Sequence, residues 1–393
     1  MKFFSVIALL LLTTVAVPAG GCPAASSAMG DQAAPSVLQN LVQAQHSAMI
    51  GDNLSTLRGL YAPEAASTLK VSEIRARYLA NWAKLRGIVW TGIHIKMRIL
   101  TAHAPSPHRL QFYAIEREQY QYHYADLPQT SLWFGIASWH HLSLVEREGQ
   151  WHFGYDDFTN PVQPSEVAGQ TVPGLLGGKH PSAPLSAHRA AAVSYANTYC
   201  GNAPGCGNNG HYNTAFRDYN GNGGDCTSWI SQVLQAGGFS TTQVWNYDHA
   251  THQGSDAWAN AGVLAEFLRE SGRATIFAEG PYQTIAQPSA RYPDGAVQTL
   301  IPGDLISYQK RGAIVHTAVV VGYDPKGVII TDTHTNDRYH VPWDFGWSDH
   351  TVFYLWHVHY PTEAKARRTP PSYAPEPAAH DIRHDHNPPL RPT

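Results

Sequence analysis

The sequence predicts an α+β fold in two parts, and three observations carry that expectation. Apolar residues recur at helical spacing through residues 37–85 and then alternate strictly from Ile93 onward. A stretch rich in proline and glycine at 161–186 separates this pattern from a second one. The second pattern, over 187–361, sets a helix that starts at a glycine-rich turn ahead of a run of apolar strands. A length of 393 residues suits two or three domains.

Composition narrows the function classes. Lys and Arg number 27 against 30 Asp and Glu, a net charge of −3, so the chain has no general electrostatic grip on nucleic acid at neutral pH. Charged residues are only 15% and aromatics 11%, which supports packed cores rather than broad disorder. The 22 histidines make the charge reverse sign on acidification, and with it comes the expectation of adhesion to an anionic wall at low pH. Four cysteines are too few for a disulfide scaffold.

The first segment, 1–21, reads as a secretory signal: Lys2 precedes a mostly apolar run from Phe4 to Val17 that is too short to span a bilayer as a stable helix. Ala19-Gly20-Gly21-Cys22 resembles a bacterial lipoprotein box, which implies lipidation of Cys22 and a membrane anchor; cleavage after Ala19 or Ala28 is the alternative.

Residues 35–160 form the first domain. Val37, Leu38, Leu41 and Val42 make one helical stripe, and Ile74, Tyr78, Trp82 and Leu85 a longer one. Ile93, Ile95, Met97 and Ile99 then alternate with His94, Lys96 and Arg98, giving a half-buried strand. Further strands are expected near 109–124 and 132–145, and Glu148-Gly149 turns the chain into a last one, Trp151 to Tyr155. The order resembles the cone-shaped NTF2-like fold in pattern. Tyr120, Tyr122, Tyr124 and Trp139 either line a ligand cavity or fill the core and cover the neighbouring domain.

Residues 161–186 are a linker, in which Gly174 to Lys179 falls one residue short of a phosphate loop and is followed by His180 rather than Ser or Thr. Residues 362–393, with seven prolines and His380, His384 and His386, read as a solvated tail.

The chemistry concentrates in 187–361. Gly224-Asp225-Cys226 ends a glycine-rich approach, and Trp229, Ile230, Val233 and Leu234 repeat at helical spacing until Gly237-Gly238. Cys226 is therefore expected at a helix N-terminus, where free amides and the macrodipole lower a thiol pKa, with Asp225 or Thr227 supplying the cap. Cys200 and Cys206 flank a turn-forming Asn-Ala-Pro-Gly stretch and are expected to bridge, leaving Cys226 as a free thiol. Asp218, Asn220 and Asn222 match half a calcium loop, but Trp229 stands where its bidentate Glu belongs.

His316 lies in an apolar strand, 314–322. A turn at 324–327 that pairs Tyr323 with Gly327 sets His316 opposite His334, in a register that a bulge at Gly327 would shift by one. Asp332, His334 and Asn336 then share the face from which one of them orients the His316 ring.

Six stretches in order resemble the bacterial "putative amidase domain", a relative of the NlpC/P60 and CHAP cysteine peptidases: Ala191–Asn197, Gly224–Gln232, Trp258–Gly262, Pro302–Asp304, His316-Thr317 and His334–Arg338. The resemblance implies an NlpC/P60-like (papain-like) domain with Cys226 as nucleophile, His316 as base and His334 as third residue. It also implies cleavage of amide bonds in peptidoglycan stem peptides. The backbone amide of Cys226 is a natural oxyanion donor, and Tyr219 either meets the substrate or packs the turn. No metal or organic cofactor is implied, and oligomeric state is not legible. Acyl transfer on the same fold, a non-catalytic envelope-binding lipoprotein and a spore or envelope structural protein are the competing readings.

Overall fold

The computed structural model describes residues 33–158, 178, 180, 184–347 and 351–361. The expected signal with Cys22, most of the expected linker and the expected tail lie outside the described residues.

The first part packs helices α1 (Ala33–Ile50) and α2 (Ala66–Arg86) against four strands, β1 (Ile88–Ser106), β2 (Arg109–Tyr124), β3 (Leu132–Arg147) and β4 (Gln150–Phe158). Helix α2 stops because Gly87 adopts a left-handed φ of 61° and returns its N–H to Ala83 and Lys84. Strand β1 is an edge, and α1 covers it chemically. The Gln39 amide donates to Ile95 O (2.7 Å) and accepts from Met97 N (2.9 Å). Gln43 does the same for Ile93 O and Ile95 N, both at 2.9 Å. Two glutamines thus occupy groups that would otherwise recruit another strand.

The second part contains helices α3 (Ala187–Thr198), α4 (Cys226–Ala236), α5 (Ala261–Glu270) and α6 (Tyr282–Ala286). Its strands are β5 (Ala274–Pro281), β6 (Leu305–Lys310), β7 (Ala313–Tyr323), β8 (Ile329–Thr333), β9 (Asp337–Pro342) and β10 (Val352–Val358). The Pro302-Gly303-Asp304 turn is an anchor. The buried Asp304 carboxylate pairs with Arg189 of α3 at 2.9 Å and with His357 of β10 at 2.7 Å.

The two parts are not separate sheets. All ten strands join in one antiparallel sheet of order β1-β2-β3-β9-β8-β7-β6-β10-β5, with β4 attached to β3. One edge of β3 is divided: His140–Arg147 pair with β4, and Gly135–Ala137 pair with Tyr339–Asp337 of β9. The core follows the sheet. One cluster runs from Leu38, Trp82 and Phe134 into Tyr308, Trp343 and Phe345, while a second packs Trp229, Trp245 and Trp258 under α4 and α5. Strand β7 serves both, with Ala318 and Val320 facing the first cluster and Val319 and Val321 the second.

Tyr120, Tyr122 and Tyr124 are buried in the first cluster, so they fill the core. The Tyr124 hydroxyl reaches across to Asp324 of the β7–β8 turn. Trp139 lies apart from them, beside Cys206.

The β7–β8 hairpin differs from its expected register. Tyr323 pairs with Ile329, not Gly327, and an irregularity between Ile330 and Thr331 shifts the remaining pairs to Thr331 with Val320 and Asp332 with Val319. A one-residue slip moves every later side chain to the other face. His334, Thr335 and Asn336 then leave the strand in a turn, where Thr335 and Asn336 have φ of 57° and 78°.

Candidate active site

Cys226 is the first residue of α4, and its side chain is 7% exposed. Its sulfur sits near the backbone of Thr317, the residue after His316 on β7. Asp225 holds the N-cap position, yet its carboxylate makes no capping bond. Instead Oδ1 accepts from Tyr219 N at 3.2 Å and Oδ2 faces His334 Nδ1 at 2.8 Å. Thr227 Oγ1 lies 3.8 Å from the sulfur. The cap expected from Asp225 or Thr227 is therefore not made, because Asp225 is committed to the turn and to His334.

Burial pushes the Cys226 thiol up, with the Asp225 charge adding to it. The contacts to Thr227 and Thr317 oppose this without overcoming it. The lowered pKa expected at a helix start is thus reversed by desolvation.

His316 is 2% exposed, and burial, with the charges of Arg338 and His334, depresses it to about 3. It is a neutral imidazole at neutral pH. Its Nε2 lies 2.9 Å from Thr333 Oγ1. That hydroxyl has carbonyl acceptors at Thr317 and His334, each 3.2 Å away. With the hydroxyl hydrogen on a carbonyl, Nε2 carries the ring proton and Nδ1 is the basic nitrogen; with it on the ring, the two nitrogens exchange roles.

None of Asp332, His334 or Asn336 hydrogen-bonds the His316 ring; Thr333 does. The register slip at Thr331 explains the change, since it exchanges odd for even positions on the face toward β7. Asp332 is buried, accepts from His340 N at 2.7 Å, and is raised to about 8 by desolvation.

His334 is engaged elsewhere. Nδ1 meets Asp225 and Nε2 meets the Tyr199 carbonyl at 2.5 Å, while Tyr212 and Trp229 stack on the ring with centroids at 4.3 and 4.9 Å. A carbonyl can only accept, so Nε2 is protonated. Despite the desolvation of both partners, the Asp225 carboxylate holds His334 above its usual value. Tyr219 packs the turn: its hydroxyl accepts from Gly254 N at 2.8 Å and Arg217 lies over its ring.

The Tyr199 carbonyl is held by the loop that follows it. Cys200 and Cys206 form a disulfide with Cα atoms 5.4 Å apart. Inside that loop Asn202 donates to Asp337 from its backbone (2.7 Å) and its side chain (2.9 Å), and the Tyr212 hydroxyl donates to the same carboxylate at 2.8 Å. Arg98 and Arg117 of the first part grip Asn202 at 2.6 and 2.7 Å. A chain of bonds thus runs from β1 and β2 through Asn202 and Asp337 to the ring that stacks on His334. Sequence reasoning missed Thr333, Asn202, Tyr212 and Asp337. Only the run Thr333 to Arg338, dense in polar residues after an apolar strand, marked the region.

A cavity of about 60 Å³ lies where the two parts meet, lined by Asn336 and Arg338 on one side and Arg75, Glu118 and Tyr120 on the other.

Residues 186–356 match a family model described as "Putative amidase domain". This segment is amidase-like. The family's description points to amide hydrolysis at a coarse level. No curated protein matches the chain. Among solved structures, the intermembrane space region of chloroplast protein ARC6 is similar at 16% identity over 33% of this chain and 96% of its own, with a TM-score of 0.25. A putative scytalone dehydratase from Novosphingobium aromaticivorans is similar at 8% identity over 33% and 84%, with a TM-score of 0.23. At these scores neither bears on the function of the amidase-like segment.

Proposed function

We propose that the protein is an exported, Cys22-anchored cysteine hydrolase that cleaves amide bonds in peptidoglycan peptides, with Cys226 as nucleophile and His316 as general base. The observation that carries this reading is the seat of Cys226 at the first position of α4, beside the β7 backbone at Thr317, the residue that follows His316.

In this mechanism thiol and imidazole rest as a neutral pair. As Sγ attacks the amide carbon, the thiol proton passes to the basic nitrogen of His316. The oxyanion is met by the backbone amide of Cys226, which has no helical partner at that position. His316 returns the proton to the leaving amine, and the same nitrogen then deprotonates the water that releases the thioester. Thr333 fixes the tautomer, while His334 acts as a positioning residue that ties Asp225 to Tyr199 at the head of α4.

The test incubates the mature protein, wild type and Cys226→Ala, with peptidoglycan fragments and reads the products by mass. A Cys226-dependent gain of one water across one amide supports the reading and names the bond. Fragments joined to an added amine indicate acyl transfer instead. A pH series of iodoacetamide labelling separates the remaining cases. The raised thiol predicts labelling slower than a free cysteine at pH 7, climbing as the pH passes the ordinary thiol range. Intact fragments with an unreactive Cys226 at every pH would leave an envelope-binding role.

A further inference from the structure

The inward face of β2 reads Phe112, Ala114, Glu116, Glu118, Tyr120, Tyr122, Tyr124, with every residue buried. Two glutamates in the middle of a dry strand face call for compensation. Glu116 is 1% and Glu118 2% exposed. Opposite them on α1 stands His46, with no exposure at all. One ligand atom from each of His46, Glu116 and Glu118 lies within 4.8 Å of the others.

The contacts in this cluster are unlike those of a finished hydrogen-bond network. His46 Nε2 is 2.6 Å from Glu116 Oε1, yet both atoms lack a hydrogen bond, as does His46 Nδ1. The atoms converge without the alignment that a shared proton requires. A second imidazole stands nearby on β3: His140 Nε2 is 2.9 Å from Ser138 Oγ and 3.6 Å from Glu116 Oε2, and its Nδ1 is held by Asp156 at 2.9 Å. Arg75 and Tyr120 attend to Glu118, at 3.6 and 2.5 Å. Three carboxylates, Glu116, Glu118 and Asp156, share this region with the guanidinium group of Arg75 and the imidazoles of His46 and His140.

We infer that this cluster binds one divalent first-row transition ion, of the zinc or cobalt kind, through His46, Glu116 and Glu118. Imidazole and carboxylate donors suit such ions better than calcium or magnesium. The adjacent cavity of about 60 Å³, which Glu118 and Tyr120 help to line, has room for a water to complete the coordination. The ion would pin α1 to β2. This inference does not depend on the role given to Cys226.

The test uses the full chain, stripped with a chelator and titrated with Co²⁺ and, separately, Zn²⁺. Because His380, His384 and His386 are competing ligands, the reference protein carries all three as Asn. The reference protein should take up one equivalent, show the visible absorption bands of protein-bound Co²⁺, and melt at higher temperature with Zn²⁺ than without. Glu116→Gln and His46→Gln should each lower the affinity at least tenfold. Should a variant fail to fold, uptake and melting of the reference protein alone still decide. Uptake that disappears with the three tail substitutions, or uptake unchanged in a folded Glu116→Gln, overturns the site. A stripped reference protein that binds neither ion and melts unchanged would show that protons on His46 and His140 complete the balance.

Discussion

Thr333 is where a single hydroxyl decides which nitrogen of His316 is basic. Thr333→Val keeps the shape and removes the hydrogen-bond partner of Nε2. In the proposed mechanism turnover should drop roughly tenfold or more, short of the ~10⁴-fold loss known when a triad's orienting carboxylate is replaced. Stability should fall by about 1–3 kcal/mol for a buried polar group left unpaired. Thr333→Ser should retain most of both. Equal turnover of the Val and Ser variants on peptidoglycan fragments would remove Thr333 from the mechanism. The same imidazole makes the fold acid-sensitive. Its folded pKa, about 3, is depressed below the ordinary histidine value, so its contribution to stability is complete above about 6.5 and is lost as pH falls toward 3. His334 has the opposite shift and favours the acid side, so the net slope mixes both. The difference between wild type and His316→Asn isolates the effect. Urea unfolding from pH 7 to pH 5 should cost the wild type up to about 1.4 kcal/mol per pH unit more than the variant. Parallel curves would contradict a neutral buried His316.

At the scale of elements, the tight contact between β3 and the disulfide loop is the point of greatest leverage. A Cβ on Gly135 would lie 2.0 Å from the Pro204 carbonyl oxygen. Both are backbone-fixed, Gly135 by its pairing with Tyr339 and Pro204 by the Cys200–Cys206 bridge. Gly135→Ala should therefore destabilise by about 1–3 kcal/mol, read as a lower melting temperature. Because the loop carries Asn202 and follows Tyr199, it should also impair the site; an Ala variant with unchanged melting and activity would mean that the loop moves freely. This seam was not legible in the sequence, although much around it was. Helices α1 and α2 and strands β1 to β4 follow directly from stripes such as Tyr78 and Trp82 and alternations such as Ile93 to Ile99, because period is a local property. The start of α4 at Cys226 is local too, fixed by glycines before it and apolar spacing after it. The pairing of β9 with β3 joins residues some 200 positions apart through backbone groups, which leave no mark on side-chain pattern. The irregularity at Thr331 hid Thr333 for a related reason: one shifted pair inverts the parity on which the reading of Asp332, His334 and Asn336 rested.

For the whole molecule, the continuous sheet leaves the first part without a separate main core: its large cluster runs on into the second part, which also holds a cluster of its own. Phe345, from the loop after β9, enters a cage of rings from the first part, with centroids 5.0 Å from Trp82 and Phe134, 5.7 Å from Tyr120 and 5.8 Å from Tyr78. Arg86 of α2 pairs with Asp344 beside it, where both are buried. These contacts tie the amidase-like segment to the helices of the first part, so residues 35–160 are better understood as half of one folding unit than as an accessory module. Removing the Phe345 ring should cost about 3–5 kcal/mol, a large share of the ~5–15 kcal/mol that stabilises an ordinary domain. Full-length protein should unfold in one cooperative transition, with near- and far-ultraviolet circular dichroism and calorimetry coinciding. Phe345→Ala should lower that single midpoint rather than split it, since both parts share the core that it opens. Two resolved transitions in the wild type, with only one responding to Phe345→Ala, would show instead that the parts fold separately and that the shared sheet is a docked interface.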